Sequence, residues 1–167
     1  MRHHSYNKEF AFVKPPMDFD KYTERDVLQY CLGATLYMPG TKDLKEKVLK
    51  HQLNVTSLVM CCEDAIKEED LPIAEQNILD HMDFFADRIA AGELTHKDIP
   101  LIFVRVRNPE HFERFAERIT AKQASVLTGF NFPKFNSRNA LQVLQTLVKV
   151  NNRLEAKIGR ASCRERV

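Results

Sequence analysis

Residues 55–61 have the sequence Val-Thr-Ser-Leu-Val-Met-Cys, an apolar run that predicts a buried β-strand. A second run of this type, Pro-Leu-Ile-Phe-Val-Arg-Val, occupies residues 100–106. Between them, apolar side chains at helical spacing predict a helix over residues 70–91, which Gly92 would end. A strand, a long helix and another strand are typical of a βαβ unit with parallel strands.

The same alternation of helices and strands continues on both sides of this unit. The further predicted elements are a helix over residues 20–32, a strand over 34–38, a helix over 41–52, a helix over 109–119, a weak strand over 125–129 and a helix over 137–156 with Ser137 as its N-cap. One helix followed by four βα units indicates a parallel sheet covered by helices. Two folds fit this order: an open doubly wound sheet, or the N-terminal half of a (βα)8 TIM barrel.

The domain organisation is expected to be simple. Residues 1–19 are polar and contain two prolines, and we expect an N-terminal arm; residues 20–157 would form one partial, truncated barrel domain. Back-translated, residues 158–167 match a widely used sequencing adapter codon for codon. We therefore expect this last segment to be an adapter-derived artefact and not part of the native fold.

Composition excludes several classes of function. The chain has 167 residues, of which 44% are hydrophobic and 29% charged, as is typical of globular proteins. Without residues 158–167 the formal net charge falls from +2 to zero, which argues against a nucleic-acid or membrane-surface partner. The chain has neither a signal peptide nor an apolar run of membrane length, so we expect a cytoplasmic protein with reduced cysteines.

Charged residues follow the ends of the predicted strands, where the active sites of both candidate folds lie. Glu63 and Asp64 follow the second strand, Arg105 lies near the end of the third, and Lys134 follows the fourth. Carboxylates bind hard cations directly or through water, and the arginine fork matches a carboxylate. These residues predict a site for a small anionic substrate together with a divalent cation.

Each of these residues also has a structural explanation. Glu63 and Asp64 suit the start of a helix, where acidic side chains are favoured. Arg105 lies within an apolar run and needs a partner there, and Glu63 or Asp64 would provide a structural ion pair. Lys134 on its own is compatible with an ordinary surface position.

Other residues at the strand ends are expected to be structural. Pro39-Gly40 indicates a turn, without the further glycines of a phosphate-binding loop. Arg107 and Asn108 are expected to be solvated loop residues. Cys61 and Cys62 are expected to be small core residues on opposite faces of a strand, so they are poorly placed to bind a metal together.

Four short motifs stand in order at the ends of the predicted strands. They are Leu-Tyr-Met-Pro-Gly at residues 36–40, Ser-Leu-Val-Met-Cys-Cys-Glu-Asp-Ala-Ile at 57–66, Val-Arg-Val-Arg-Asn at 104–108 and Phe-Pro-Lys at 132–134. In this order the motifs resemble the HpcH/HpaI aldolase and citrate lyase β-subunit family. The resemblance implies a TIM barrel that carries out aldol or Claisen cleavage of a keto-acid, hydroxy-acid or acyl-CoA-like substrate.

The resemblance also implies roles for the candidate residues. Mg²⁺ would be the cofactor, acting as a Lewis acid on the enolate. Arg105, Glu63 and Asp64 would be catalytic, with Arg105 on a substrate oxygen or carboxylate and the two acids holding the metal through water or in its outer shell. Pro39-Gly40 would shape the substrate loop, and Lys134 would bind substrate. The family further implies a homo-oligomer.

The chain departs from the family pattern in two ways. Cys61 stands where the family has the first acid of its motif. The direct metal ligands, a Glu and an Asp, would lie on strands after residue 157, so we expect the chain as written to be inactive. Two other functions stay open: a non-catalytic barrel that binds an anion or a protein partner, and a doubly wound domain that binds a phosphorylated ligand.

Overall fold

A computed structural model describes residues 9–14 and 17–158 of the chain. Part of the predicted N-terminal arm falls outside these residues, and so does the predicted adapter-derived segment from residue 159 onwards. Among the helices in the described ranges, none combines the length and apolar character that a bilayer span requires.

Four parallel strands form one sheet, and their order in the sheet is their order in the chain. They are β1 Leu36–Pro39, β2 Ser57–Cys61, β3 Leu101–Arg105 and β4 Leu127–Asn131. A doubly wound sheet requires a point at which the strand order reverses, and the four described strands contain none. Sequential parallel strands with intervening helices fit the N-terminal half of a TIM barrel, as expected from the sequence.

Six helices accompany the strands. They are α1 Arg25–Leu28, α2 Lys45–Leu49, α3 Leu71–Ala90, α4 Pro109–Arg118, α5 Ala121–Ala124 and α6 Ala140–Ile158. The long helix α3 stops just before Gly92, whose φ of +75° is a left-handed conformation suited to glycine. Asn108, predicted to be a solvated loop residue, caps α4 by accepting a hydrogen bond from the backbone N–H of His111 at 2.8 Å.

Two predicted helices are much shorter in the structure. The helix predicted over residues 20–32 is reduced to α1 because the preceding residues form a turn and Lys21 is buried, with Nζ donating to the Ala124 carbonyl at 2.5 Å. The helix predicted over residues 41–52 is reduced to α2. Its first residues form a loop held against α3, and His51 adopts a left-handed φ of 55°.

The C-terminal elements also differ from the prediction. The fourth strand lies two residues later than predicted, because residues 121–124 form the unpredicted helix α5 with a Thr120–Gln123 capping box. Ser137 does not cap the last helix, which begins at Ala140.

The core lies between the sheet and the helices. Alternate strand residues point to it, among them Leu58, Met60, Ile102 and Val104, all nearly inaccessible. Cys61 and Cys62 are both buried, as predicted, and burial is the main reason why the pKa of the Cys62 thiol rises to about 12. The strand residues between the core positions point to the opposite face of the sheet.

Gly40 packs where β1, β2 and α3 meet, and this close packing leaves little room for a side chain. A methyl group at Gly40 would lie 3.0 Å from Ile78 Cδ1, 3.1 Å from the Cys61 carbonyl oxygen and 3.2 Å from Ala74 Cβ. Because backbone and a short side chain have little room to move, Gly40→Ala is expected to lower the free energy of unfolding by about 1–3 kcal/mol.

Gly129→Ala is the matched control, because its methyl group would be in ordinary contact at 3.5 Å from the Phe103 ring. Urea unfolding of both variants should show a change below about 1 kcal/mol for the control. Equal losses of stability in the two variants would show that the packing around Gly40 is not the constraint described.

Candidate functional site

The predicted charged residues meet at the carboxyl ends of the strands, on the face of the sheet opposite the helices. Arg105 lies at the end of β3, and its Nη2 is 2.5 Å from Glu63 Oε2 and 3.1 Å from Asp64 Oδ2. Lys134 Nζ lies 2.8 Å from Glu63 Oε1 and 3.7 Å from Asp64 Oδ1. We call these four residues the charged cluster.

The charged cluster has a partly buried pair, Glu63 and Arg105, and an exposed pair, Asp64 and Lys134. The side chains of Glu63 and Arg105 are 11% and 20% exposed, whereas those of Asp64 and Lys134 are 62% and 74% exposed. A side-chain hydrogen bond with Glu63, helped by the charges of Lys134 and Arg105, holds the pKa of Asp64 below its ordinary value. A hydrogen bond to Glu63 likewise raises the pKa of Lys134.

The buried pair leaves polar atoms unsatisfied. Arg105 Nε is buried and has no hydrogen-bond partner in the part of the chain that the structure describes. Glu63 Oε2 lies close to the guanidinium but outside hydrogen-bonding geometry, so the contact is an ion pair rather than a hydrogen bond. A buried donor of this kind is costly unless a water molecule or a ligand completes it.

Lys134 is more constrained than a surface lysine. Its φ of 55° is unusual for a residue other than glycine. The side-chain amides of Asn136 and Asn139 donate to its carbonyl at 2.8 and 3.0 Å, which stabilises this backbone conformation. Such strained residues concentrate at ligand sites, and from this backbone conformation the amine contacts Glu63.

Pro39-Gly40 lies at the edge of the charged cluster, and in the described structure it makes no polar contact with Arg105 or Lys134. The Gly40 N–H donates to the Cys61 carbonyl at 2.8 Å. The side-chain amide of Asn77, on α3, donates to the carbonyls of Gly40 and Lys42 at 2.6 and 3.0 Å. The turn is therefore fixed beside the end of β2 by the helix behind it.

His81 holds the same loop from deeper in the core. Its Nε2 accepts the backbone N–H of Leu44 at 2.9 Å, so Nδ1 carries the ring proton and donates to the Asn77 carbonyl at 2.7 Å. Asp43 also approaches Nε2, at 3.3 Å, but the accepted N–H assigns a neutral ring. Burial lowers the pKa of His81 in agreement with this assignment.

Arg107 is not the solvated loop residue that was predicted. Its Nε donates to the Cys62 carbonyl at 2.7 Å, its Nη2 donates to the Ile66 carbonyl at 2.6 Å, and its Nη1 pairs with Glu68. These contacts fix the segment that carries Glu63 and Asp64. The prediction was wrong because the loop after β2 offers the guanidinium two carbonyls and the Glu68 carboxylate as acceptors.

Two residues at the site were not predicted. The guanidinium carbon of Arg105 lies 6.0 Å from the centroid of the Tyr37 ring, and Asn131 Nδ2 lies 3.5 Å from Tyr37 Oη. The alternation of faces was the available signal, since Tyr37, Arg105 and Asn131 all occupy strand positions between core residues.

A second ionic cluster lies between α3 and α4, behind the sheet. Glu75 is buried and pairs with Arg114 at 2.8 Å and with Arg118. His111 accepts the Arg107 N–H on Nδ1 at 3.0 Å, and its Nε2 lies 3.0 Å from Glu75 Oε1 but outside hydrogen-bonding geometry. This cluster joins the two helices and lies on the helix side of the sheet, away from the charged cluster.

The predicted Mg²⁺ site cannot be assigned to these residues alone. The described residues contain no group of three or more His, Cys, Asp and Glu side chains placed to hold a metal. Glu63 and Asp64 are both paired with cations, and two carboxylates are too few for direct ligation. They suit water-mediated contact with an ion at most.

The comparison with protein families agrees with this fold. A family model described as C–C bond lyase of the TIM-barrel fold matches residues 26–160. The chain belongs to this family. The match covers all four strands and the whole charged cluster of the lyase. Comparisons with curated proteins and with solved structures give no match.

The Arg107 contacts predict a local loss of order in an Arg107→Gln variant. Three acceptors would lose a charged donor, so the free energy of unfolding is expected to fall by about 1–3 kcal/mol. Amide hydrogen exchange should accelerate over residues 62–68. Arg153→Gln is the control, because its ion pairs with Glu113 and Glu117 are exposed and should contribute less than about 1 kcal/mol. Equal effects in both variants would contradict the assigned role of Arg107.

The buried histidines predict that acid destabilises the fold. Burial lowers the pKa of His81, His96 and His111 below the unfolded value. As the pH falls from about 7.5 to 5.5, the unfolded chain takes up protons first, so stability is lost over this window. Thermal melting should show a smaller loss in His81→Gln, which keeps a donor and an acceptor. His51→Asn, at an exposed turn, is the control and should show the same acid-induced fall in melting temperature as the unmodified chain. If the melting temperature of His81→Gln falls as much as that of this control, the role of His81 is excluded.

Proposed function

We propose that this lyase cleaves a small keto-acid, hydroxy-acid or acyl-CoA-like substrate by aldol or Claisen chemistry, with Arg105 on a substrate oxygen. The observation that carries the proposal is the buried Arg105 Nε, which has no partner among the described residues. It lies at the carboxyl end of a strand, where barrel enzymes bind their substrates. A relationship to the HpcH/HpaI and citrate lyase β-subunit group is part of the same proposal.

Arg105 provides directional recognition of a carboxylate or carbonyl oxygen. Its Nη2 contacts Glu63 and Asp64, so one side of the guanidinium is fixed by protein carboxylates. The Nε–H is left for an oxygen that arrives with the substrate, and because Nε is closed to solvent in the described structure, a neighbouring side chain must move aside on binding. Because the pair with Glu63 is largely buried, the guanidinium is held in one orientation before binding, which reduces the entropy lost on association.

Lys134 supplies a mobile positive charge in the same site. Carbon–carbon cleavage leaves an electron pair on the enolate fragment, and a cation near its oxygen lowers the energy of that state. Lys134 is exposed and contacts Glu63 and Asp64, so it has room to approach a bound substrate. The amine is charged at neutral pH even at the ordinary pKa of lysine, and the hydrogen bond to Glu63 raises that pKa further.

The balance of charge bears on the proposed Mg²⁺. Arg105 and Lys134 are matched by Glu63 and Asp64, so an anionic substrate would add uncompensated negative charge. A divalent cation bound together with the substrate would offset it, and its chemistry would be Lewis-acid stabilisation of the enolate. Glu63 and Asp64 would then contact the ion through water.

The test is pyruvate binding, measured by calorimetry with and without Mg²⁺. Arg105→Met removes both the guanidinium fork and its charge, and it is expected to weaken pyruvate binding about tenfold or more. Arg105→Lys keeps only the charge, so its affinity should lie between those of Arg105→Met and the unmodified chain. Arg138→Met, at an exposed position, is the control and should bind like the unmodified chain. Unchanged binding in Arg105→Met would contradict the proposal.

A second function is favoured by one observation. Both carboxylates of the charged cluster are paired with cations, so neither is left as a free general base. This arrangement suits a non-catalytic domain that binds a small anion. The discriminating assay uses NMR to monitor cleavage of a panel of hydroxy acids. If the chain binds pyruvate but cleaves none of them, the result favours binding alone over the lyase reaction.

A further inference from the structure

We propose that Tyr37 and Asn131 form the specificity side of this site and recognise the oxygen on the carbon next to the substrate carboxylate. In this arrangement Arg105 binds the carboxylate, and the Tyr37 hydroxyl donates to the 2-oxo or 2-hydroxyl oxygen. The inference rests on the proposed function and adds to it the two residues that distinguish a 2-oxo or 2-hydroxy acid from a plain carboxylate.

The first support is that Tyr37 and Asn131 meet across the width of the sheet. Tyr37 lies on β1 and Asn131 on β4, with β2 and β3 between them. In a flat sheet these strands would be about 14 Å apart, at about 4.8 Å per neighbour. Their side chains nevertheless approach to 3.5 Å, so the sheet curves around this face and the two residues close one side of it over Arg105.

The second support is the direction of the hydrogen bond between them. Asn131 contributes its amide Nδ2, which only donates, so the Tyr37 oxygen accepts. The phenolic proton therefore points away from Asn131. The described residues offer it no other acceptor, and the Tyr37 side chain is about half exposed. In the free chain this donor faces solvent, and a ligand oxygen bound to Arg105 would take the place of water.

The third support is the placement of the ring. Arg105 lies over the Tyr37 ring, with the guanidinium carbon 6.0 Å from the centroid, so ring and cation restrain each other. A carboxylate on Arg105 and an oxygen on the adjacent carbon would thus meet two donors of one constrained unit. A plain alkanoate has the carboxylate but not the second oxygen.

The inference predicts how selectivity changes in Tyr37→Phe. This variant keeps the ring and the contact with Arg105 and loses only the hydroxyl. Pyruvate affinity is expected to fall about three- to tenfold, the effect of one lost hydrogen bond, while propionate affinity should stay unchanged. Arg105→Met should weaken both ligands, because both carry the carboxylate.

Labelling with 3-fluorotyrosine gives a direct readout in the unmodified chain. The sequence contains four tyrosines, and the Tyr37 resonance is assigned by its loss in Tyr37→Phe. Pyruvate should change the chemical shift of the Tyr37 resonance much more than that of the Tyr30 resonance, because Tyr30 is 83% exposed and lies outside the site.

The outcomes separate the inference from the proposed function. If the unmodified chain binds neither pyruvate nor propionate, the proposed function fails. If it binds both through Arg105, but Tyr37→Phe keeps the pyruvate-to-propionate ratio and the Tyr37 resonance does not move, the proposed function stands and the role of Tyr37 is overturned.

Discussion

Arg105 places a positive charge at the end of a central strand, beside a sheet whose other face is packed with apolar side chains. Such a charge is tolerated only when it is paired, and the surrounding structure follows from this requirement. Glu63 and Asp64 supply the counter-charges from the end of β2, and Lys134 restores the balance from the end of β4. The cluster pairs the charge and still leaves one buried donor, Arg105 Nε, without a partner among the described residues, and the proposed binding role rests on this observation.

The sequence predicted those parts of the structure that depend on local pattern. The strand at residues 57–61 and the helix at 71–90 lie within two residues of their predicted bounds, because apolar periodicity and Gly92 define them. The ion pair of Arg105 with Glu63 was foreseen as an alternative, since a charge inside an apolar run must find a partner nearby. Alternating strands and helices predicted a parallel sheet, but they left open whether its strand order was sequential or that of a doubly wound sheet.

The remaining features depend on contacts between distant parts of the chain. Arg107 looked like a loop residue because its acceptors, the carbonyls of Cys62 and Ile66, lie about forty residues earlier. The burial of Lys21 against the Ala124 carbonyl replaced a predicted helix by a turn for the same reason. The contact of Tyr37 with a residue three strands away required the curvature of the sheet, which no local pattern encodes.

The most direct test of the proposed role of Arg105 is an NMR titration of the arginine Nε–H groups with pyruvate. The Arg105 resonance would be assigned by its loss in Arg105→Lys. We predict that this resonance shifts more than those of the other arginines, because pyruvate supplies the hydrogen-bond acceptor that the described residues do not. A titration in which pyruvate binds but the Arg105 Nε–H stays unmoved, or in which Arg107 responds instead, would contradict the central claim.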